Sequence, residues 1–319
     1  MKIIYLGSGA FGIHCLNALA NSSHSLELIV TAKPHPAGRG RKLNPTPVAQ
    51  WVAGQASKIA VIETDNANSP EIMEKIAAYQ VDLIVVAAFG QKISNELINL
   101  PPKGSINVHA SLLPKYRGAA PINWAIINGE KQTGISIVTV AEKIDAGQVL
   151  AQKETDIGDD ETAGQLHDRL AAIAAPLLME TIDKIADGSA VYTQQDEAGA
   201  TMASKLKKTD GFLDFSESAD SLKRKILGFW PWPGASANYV SKKTGKCIQV
   251  TIAGASVVGT SDTPGLQPGL LDENLNVVCG KGSLVIKKIK PAGGRVMDFE
   301  DFVNGRKICP GDSFMKIDR

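Results

Sequence analysis

The chain opens with KIIYLG, a run of β-branched and apolar residues that stops at glycine, and LELIVTAK repeats the pattern from residue 26. Between them, FGIHCLNALANS spaces its apolar residues three and four apart, the period of a helix with one buried face. The three together predict a β-α-β unit. Further along, PEIMEKIAAYQ reads as a helix, VDLIVVAAFG as a strand apolar on both faces, SINVHAS as a strand and APINWAIING as a helix. GISIVTV is a further strand, and TAGQLHDRLAAIAAPLLMETIDKIADG is one long helix closed by Gly188. Strands apolar on both faces, alternating with helices, predict a Rossmann-like, mainly parallel sheet covered by helices on both faces.

After about residue 190 the period changes. A polar connector, TQQDEAGATMASKLKKTDG, leads to a short helical stretch. Then come short strands, SANYVS, CIQVTIAG, LNVVCGKG and SLVIKKIKPAG, separated by Gly- and Pro-rich turns, with FEDFVNG as a late helical turn. This spacing predicts a C-terminal antiparallel β-barrel of OB-like type. The expected organisation is therefore an α/β domain over 1–190, a linker over 191–207 and a barrel domain over 208–319.

With 319 residues, 44% of them hydrophobic and 21% charged, the chain has the composition of a soluble globular protein and a length that favours two domains. The opening holds one charged residue and a short apolar run, and no stretch is long enough to span a bilayer, so a cytoplasmic location without membrane contact is expected. Cys15, Cys247, Cys279 and Cys309 form no C-x-x-C pair, and none of the five histidines has a partner at metal-ligand spacing. The expectation is reduced cysteines and no metal. Net charge is only +1, but it is unevenly spread: residues 1–200 carry 16 Lys+Arg against 21 Asp+Glu, and residues 201–319 carry 18 against 12. The basic C-terminal part suits a polyanionic partner, and equally a solvated Lys-rich surface.

Gly7, Gly9 and Gly12 fit G-x-G-x-x-G between a strand and a helix, a dinucleotide signature. The second strand ends IVTAKPHP, without the carboxylate that binds the ribose of NAD. Lys33 leaves an NADP site open, and the better-supported reading is a tight turn that needs glycine for close packing.

Asn107 and His109 are two apart on a predicted strand, so they share a face. SLLP ends that strand and DAG, with Asp145, follows the next one. An amide, an imidazole and a carboxylate at adjacent strand ends suit acyl transfer to an amine: the imidazole moves protons, the carboxylate stabilises its cation, and the amide bonds a developing oxyanion. The same residue types at strand ends also occur as purely structural groups.

The wording of the motif adds what spacing does not. NVHASLLPKYRGAAPI closely resembles the signature of folate-dependent formyltransferases, and FWPWPGASA and PAGGRVMDFEDFVNG extend the resemblance over essentially the whole chain. The resemblance implies a Rossmann-like catalytic domain, 10-formyltetrahydrofolate as the formyl donor, and an Asn-His-Asp active site falling on Asn107, His109 and Asp145. It also implies a folate site at Ser111, Leu112, Leu113 and Pro114, with the pterin against the backbone near Val86, Phe89 and Gly90. Ala110 stands where the family commonly has glycine.

Members of this family formylate glycinamide ribonucleotide, sugar nucleotides or charged tRNA. PAGRGRKLNPTPV, residues 36–48, resembles a loop that the tRNA-directed members use to contact the acceptor end, although AKPH precedes it where a Pro-Asp-Arg-like sequence is expected. Arg39, Arg41 and Lys42 would then meet phosphates or base edges. The resemblance points to the α-amino group of initiator methionyl-tRNA as acceptor, and a monomer is expected. A sugar-nucleotide acceptor, an NADP-dependent oxidoreductase and a non-catalytic RNA-binding module are the alternatives that the residues leave open.

Overall fold

The structure, a computed structural model, describes residues 1–37, 42–55, 59–259 and 267–317. Its segments cluster into two compact units. One comprises Met1–Pro121, Gln132–Asp156 and His167–Ala203; the other comprises Ile122–Lys131, Ile157–Leu166 and Ser204–Arg319.

The first unit is built on a seven-stranded sheet. Its strands are β1 (Lys2–Gly7), β2 (Ser25–Thr31), β5 (Ala60–Glu63), β6 (Leu83–Ala87), β7 (Ser105–His109), β9 (Gln132–Thr139) and β10 (Val149–Asp156). Two short pairs lie outside it: β3 (His35–Ala37) with β4 (Lys42–Asn44), and β8 (Arg117–Gly118) with β11 (Met202–Ala203). The sheet order is β10-β9-β7-β6-β1-β2-β5. Pairing is parallel from β5 through β7, and β9 and β10 join antiparallel at the edge.

The parallel part follows from burial. Every residue of β6 and all but the first of β1 are buried, so these strands lie between two apolar layers. One layer joins Ile4, Leu6, Val30, Ile84 and Val86 with Ile76 of α3 (Pro70–Ala77), Phe89 and Leu97. On α1 (Ile13–Ala20), Cys15, Leu16 and Leu19 are buried at helical spacing. A long helix, α6 (Ala163–Asp187), continues through Pro176 and buries Leu170, Ala174, Leu178, Ile182 and Ile185, three or four apart. Each fully buried Leu or Ile contributes about 1.5–3 kcal/mol.

The β1–α1 turn carries the three glycines. A Cβ at Gly12 would overlap the Tyr5 phenol oxygen, and one at Gly7 would lie 2.7 Å from the Ala87 carbonyl. Close packing therefore demands glycine at both positions. Tyr5 Oη is itself buried and without a hydrogen-bond partner among the described residues.

The second unit contains an antiparallel barrel. Its strands are β12 (Ala235–Val240), β13 (Cys247–Val258), β14 (Val277–Val278), β15 (Ser283–Pro291), β16 (Met297–Asp298) and β17 (Ser313–Met315). They are ordered β14-β15-β13-β12-β17, with β16 on β15. Bridges from Leu270 to Ser313 and from Leu271 to Val277 carry the pairing from β17 round to β14, which nearly closes the sheet. The 12-residue β13 shifts register at Gly254, a bulge of the kind that bends a strand round a barrel corner. Leu222 and Ile226 of α7 (Ala219–Gly228) and Phe299 and Phe302 of α8 (Phe299–Arg306) are buried in its core. Asp312 fastens the last strand: Oδ2 accepts from Tyr239 Oη at 2.5 Å and Oδ1 from the Lys242 amide at 2.7 Å. Among the described residues, no helix is long and apolar enough to cross a membrane.

Candidate active site

Val86 of β6 pairs with Asn107 of β7, so the centre of β7 is set beside the end of β6. Asn107 and His109 share a face of β7, as alternation requires. Asp145 does not come from a neighbouring parallel strand end. Because β9 runs antiparallel to β7, with His109 opposite Ser136 and Ile106 opposite Thr139, the chain leaves β9 at the far end of β7. It returns through the loop 140–148, which closes on Thr139: the Thr139 amide donates to the Gln148 carbonyl, and the Gln148 amide to Thr139 Oγ1. Gly147 is needed at this closure, since a Cβ there would overlap the Thr139 carbonyl.

That loop brings Asp145 over the strand face. Asn107 Nδ2 donates to Asp145 Oδ1 at 3.2 Å, and the Gly118 amide donates to Oδ2 at 2.9 Å. His109 Nδ1 lies 3.5 Å from the same Oδ2, while its Nε2 faces the Tyr116 carbonyl at 2.9 Å. Both ring nitrogens thus face oxygen acceptors, so Nε2 carries a proton toward Tyr116 and a second proton, when present, is held between Nδ1 and the carboxylate. Side-chain exposure is 6% for His109 and 12% for Asp145, so water screens this pair weakly. Asp145 has φ +53, a left-handed backbone that costs a non-glycine residue about 1–2 kcal/mol. The surrounding bonds must supply it.

Around this centre the structure places the other expected residues unevenly. Ser111 and Leu113 are buried and serve the loop: Ser111 Oγ donates to the Lys115 carbonyl, and Ser136 Oγ both donates to the Ser111 carbonyl and accepts from the Leu113 amide. Leu112 and Pro114 are half-buried. The Val86 and Phe89 side chains belong to the core, which leaves only their backbone for a ligand. Gly90 is exposed, at φ +78, with open space where a Cβ would stand. Lys42 is exposed on β4, and Arg39 and Arg41 lie outside the described residues.

Sequence reasoning missed the residues that hold the trio in place, namely the Tyr116 carbonyl, the Gly118 amide, Arg117 and Gln195. Arg117 carried a signal, one of only two charges, with Lys115, in a largely apolar motif, and it is 1% exposed. Gln195 lay in a polar stretch with no period to distinguish it. Among the described residues, no group of three or more His, Cys, Asp or Glu side chains converges as a metal site would require.

Residues 1–182 match the formyl transferase family, and residues 205–307 match its C-terminal domain. The chain belongs to the formyl transferase family. Within it, the chain is 38% identical over 318 residues to the methionyl-tRNA formyltransferase of Citrifermentans bemidjiense, covering 100% of this chain and 98% of that one. The same enzyme of Acetivibrio thermocellus is 38% identical over 315 residues, covering 98% and 99%. Among solved structures, the N-formyltransferase of Helicobacter canadensis in complex with folinic acid and dTDP-3-aminofucose superposes with a TM-score of 0.62 at 15% identity, over 90% of this chain and 98% of that one. HypX of Aquifex aeolicus in complex with tetrahydrofolic acid gives 0.63 at 16% identity, and the whole of this formyl transferase chain spans 51% of its length. At these identities the two structures attest the fold.

Proposed function

We propose that this protein transfers the formyl group of 10-formyltetrahydrofolate to the α-amino group of initiator methionyl-tRNA. The observation that carries the reading is the buried Asn107–His109–Asp145 cluster, in a chain whose full-length relatives are methionyl-tRNA formyltransferases. In the reaction a bond forms between the methionyl nitrogen and the formyl carbon, the carbon–N10 bond breaks, the amine loses a proton and N10 gains one. When bound, the folate supplies the one-carbon unit as an activated formamide.

The chain's own groups then have distinct tasks. The Asn107 amide nitrogen has two protons, and only one is directed to Asp145, so the second is available to the formyl oxygen as charge develops there. His109 adds positive charge, not a further donor, when its ring is doubly protonated, since Nε2 faces Tyr116 and Nδ1 faces Asp145. Asp145 stabilises that cation and fixes the ring plane from Nδ1, while the Tyr116 carbonyl fixes it from Nε2.

The folate fits at the turn after β6, where Gly90 offers exposed backbone and free space beside the strand that carries Asn107. There Val86, Phe89 and Gly90 would present backbone groups, and the Ser111–Pro114 stretch would form the opposite wall. Arg39, Arg41 and Lys42, with the basic region from residue 201, would hold the tRNA through phosphates. The reading has a monomer working in the cytoplasm, without a metal.

The test is incubation with methionyl-tRNA and 10-formyltetrahydrofolate, followed by deacylation. Formylmethionine is the expected product. Formylation of an amino-sugar nucleotide with untouched methionyl-tRNA would overturn the acceptor, and transfer to neither would overturn the reaction.

A further inference from the structure

Asp145 is held at both ends. Beyond the bonds to its carboxylate, Gln195 Nε2 donates to the Asp145 carbonyl at 2.8 Å and to the Gly147 carbonyl at 2.7 Å. A primary amide nitrogen has two protons, and both are spent on this one turn. Arg117 decides which end of the Gln195 amide faces the turn. Its Nε and Nη2 both donate to Gln195 Oε1, at 3.1 and 2.7 Å, so a flipped amide would set its NH2 against a guanidinium. Arg117 Nη2 also pairs with Glu197 Oε1 at 2.7 Å, and Lys143 Nζ holds the other Glu197 oxygen at 2.5 Å.

The chain on either side of Arg117 works on the other end of the same group. The Tyr116 carbonyl faces His109 Nε2, and the Gly118 amide binds the Asp145 carboxylate. One three-residue segment therefore addresses His109, the Asp145 carboxylate and, through Gln195, the Asp145 backbone. The left-handed φ of Asp145 is what the two Gln195 bonds secure.

We propose that Gln195, oriented by the buried Arg117, is a positioning residue of the formyl-transfer site: it fixes the turn that aims Asp145 at His109 without touching substrate. The proposal rests on Asn107, His109 and Asp145 being the catalytic trio. The position demands a carboxamide, because only that group offers two donors to the carbonyls and an acceptor to the guanidinium. A glutamate there would bind Arg117 well, yet would set an anionic oxygen against two carbonyl oxygens and push the turn away.

The full-length protein carrying Gln195→Glu, Asp145→Asn or both is compared with wild type for kcat, for both KM values and for melting temperature. Gln195→Glu is expected to lower kcat by about tenfold or more, with each KM within about threefold, because a displaced reacting group costs turnover more than binding. In the Asp145→Asn background the same change should cost less than about twofold, since it acts through a group already disabled. Gln195→Ala, which adds no charge, should act in the same direction. Wild-type kcat in both Gln195 variants, beside an impaired Asp145→Asn, would overturn the proposal and leave the trio standing. Losses that multiply in the double variant would mean that Gln195 acts other than through Asp145. Failure of both Gln195 variants to fold would make the residue a scaffold element and refute a positioning role. A fully active Asp145→Asn would remove the trio itself.

Discussion

Replacing Asp145 by asparagine keeps the side chain's size and removes its charge, and the structure says what that does. Both carboxylate oxygens accept, one from Asn107 Nδ2 and the other from the Gly118 amide, beside His109 Nδ1. Asparagine has one acceptor, so in either orientation its NH2 meets a donor. With the oxygen kept toward Gly118, the NH2 faces Asn107, whose amide must turn and so withdraw the proton that the proposed mechanism directs to the formyl oxygen. The charge matters as well: a unit charge 3.5 Å from the imidazolium is worth about 5 kcal/mol at an effective dielectric of about 20. Partial exposure and relaxation leave about half of that, or about 2–3 kcal/mol, which corresponds to a fall in kcat of about 10²-fold. The assay is steady-state formylation of methionyl-tRNA at saturating folate, with melting followed in parallel. Turnover within about threefold of wild type in a folded Asp145→Asn protein would refute the electrostatic role.

The remaining predictions concern the acceptor, the glycine turn and the acid limb of stability. Arg39→Ala should severely impair formylation of methionyl-tRNA with folate binding unchanged, and Arg39→Lys should restore it only in part, because lysine keeps the charge without the planar fork; unaltered tRNA formylation in Arg39→Ala would count against the loop's role. Gly12→Ala should destabilise by about 1–3 kcal/mol through overlap with the Tyr5 phenol, and Tyr5→Phe should recover part of that in thermal melts; no recovery would mean the overlap is relieved elsewhere. Arg117 and Lys143 hold the Glu197 carboxyl down to about 2, so its contribution to stability is complete above the ordinary glutamate value near 4.5 and is lost as pH falls toward 2. Stability of Glu197→Gln should therefore fall less steeply than that of wild type across that window, and parallel curves would contradict the pairing.

The sequence discloses the parts of this protein that are repetitive and apolar. β1, β2, β6 and β7 announce themselves as buried runs, and α1, α3 and α6 by period, because burial on one or two faces leaves a mark in the residues themselves. The edge strand β10 does not. None of its residues VLAQKETD is buried and half are exposed, so no buried apolar run marks it, and it exists because β9 offers an unpaired edge. The site divides in the same manner. Alternation on β7 brings Asn107 and His109 to one face, and the motif resemblance adds Asp145, yet the path of the loop 140–148 depends on the antiparallel turn into β9 and on glycine at 147. A parallel neighbour would have put Asp145 at the same strand end by a shorter route. Gln195 was illegible for another reason: its partners are carbonyls and a guanidinium 48 to 78 residues away, and a bond between side chain and distant backbone leaves no local pattern.

Those separations set an order of events for a chain leaving the ribosome. Asn107, His109, Gly118, β9 and Asp145 emerge within one short stretch, and β10 follows without a long wait, so the bonds among them close from neighbouring sequence. Gln195 arrives 50 residues after Asp145, and Thr201, whose hydroxyl takes the Tyr116 amide, 85 residues after Tyr116. Until then the sheet has all its strands, but the Asp145 turn lacks the two bonds from Gln195. If Gln195 has the positioning role proposed for it, a nascent chain that has displayed every member of the trio still lacks the bonds that fix the Asp145 turn, and full competence arrives with a glutamine that takes no part in the chemistry.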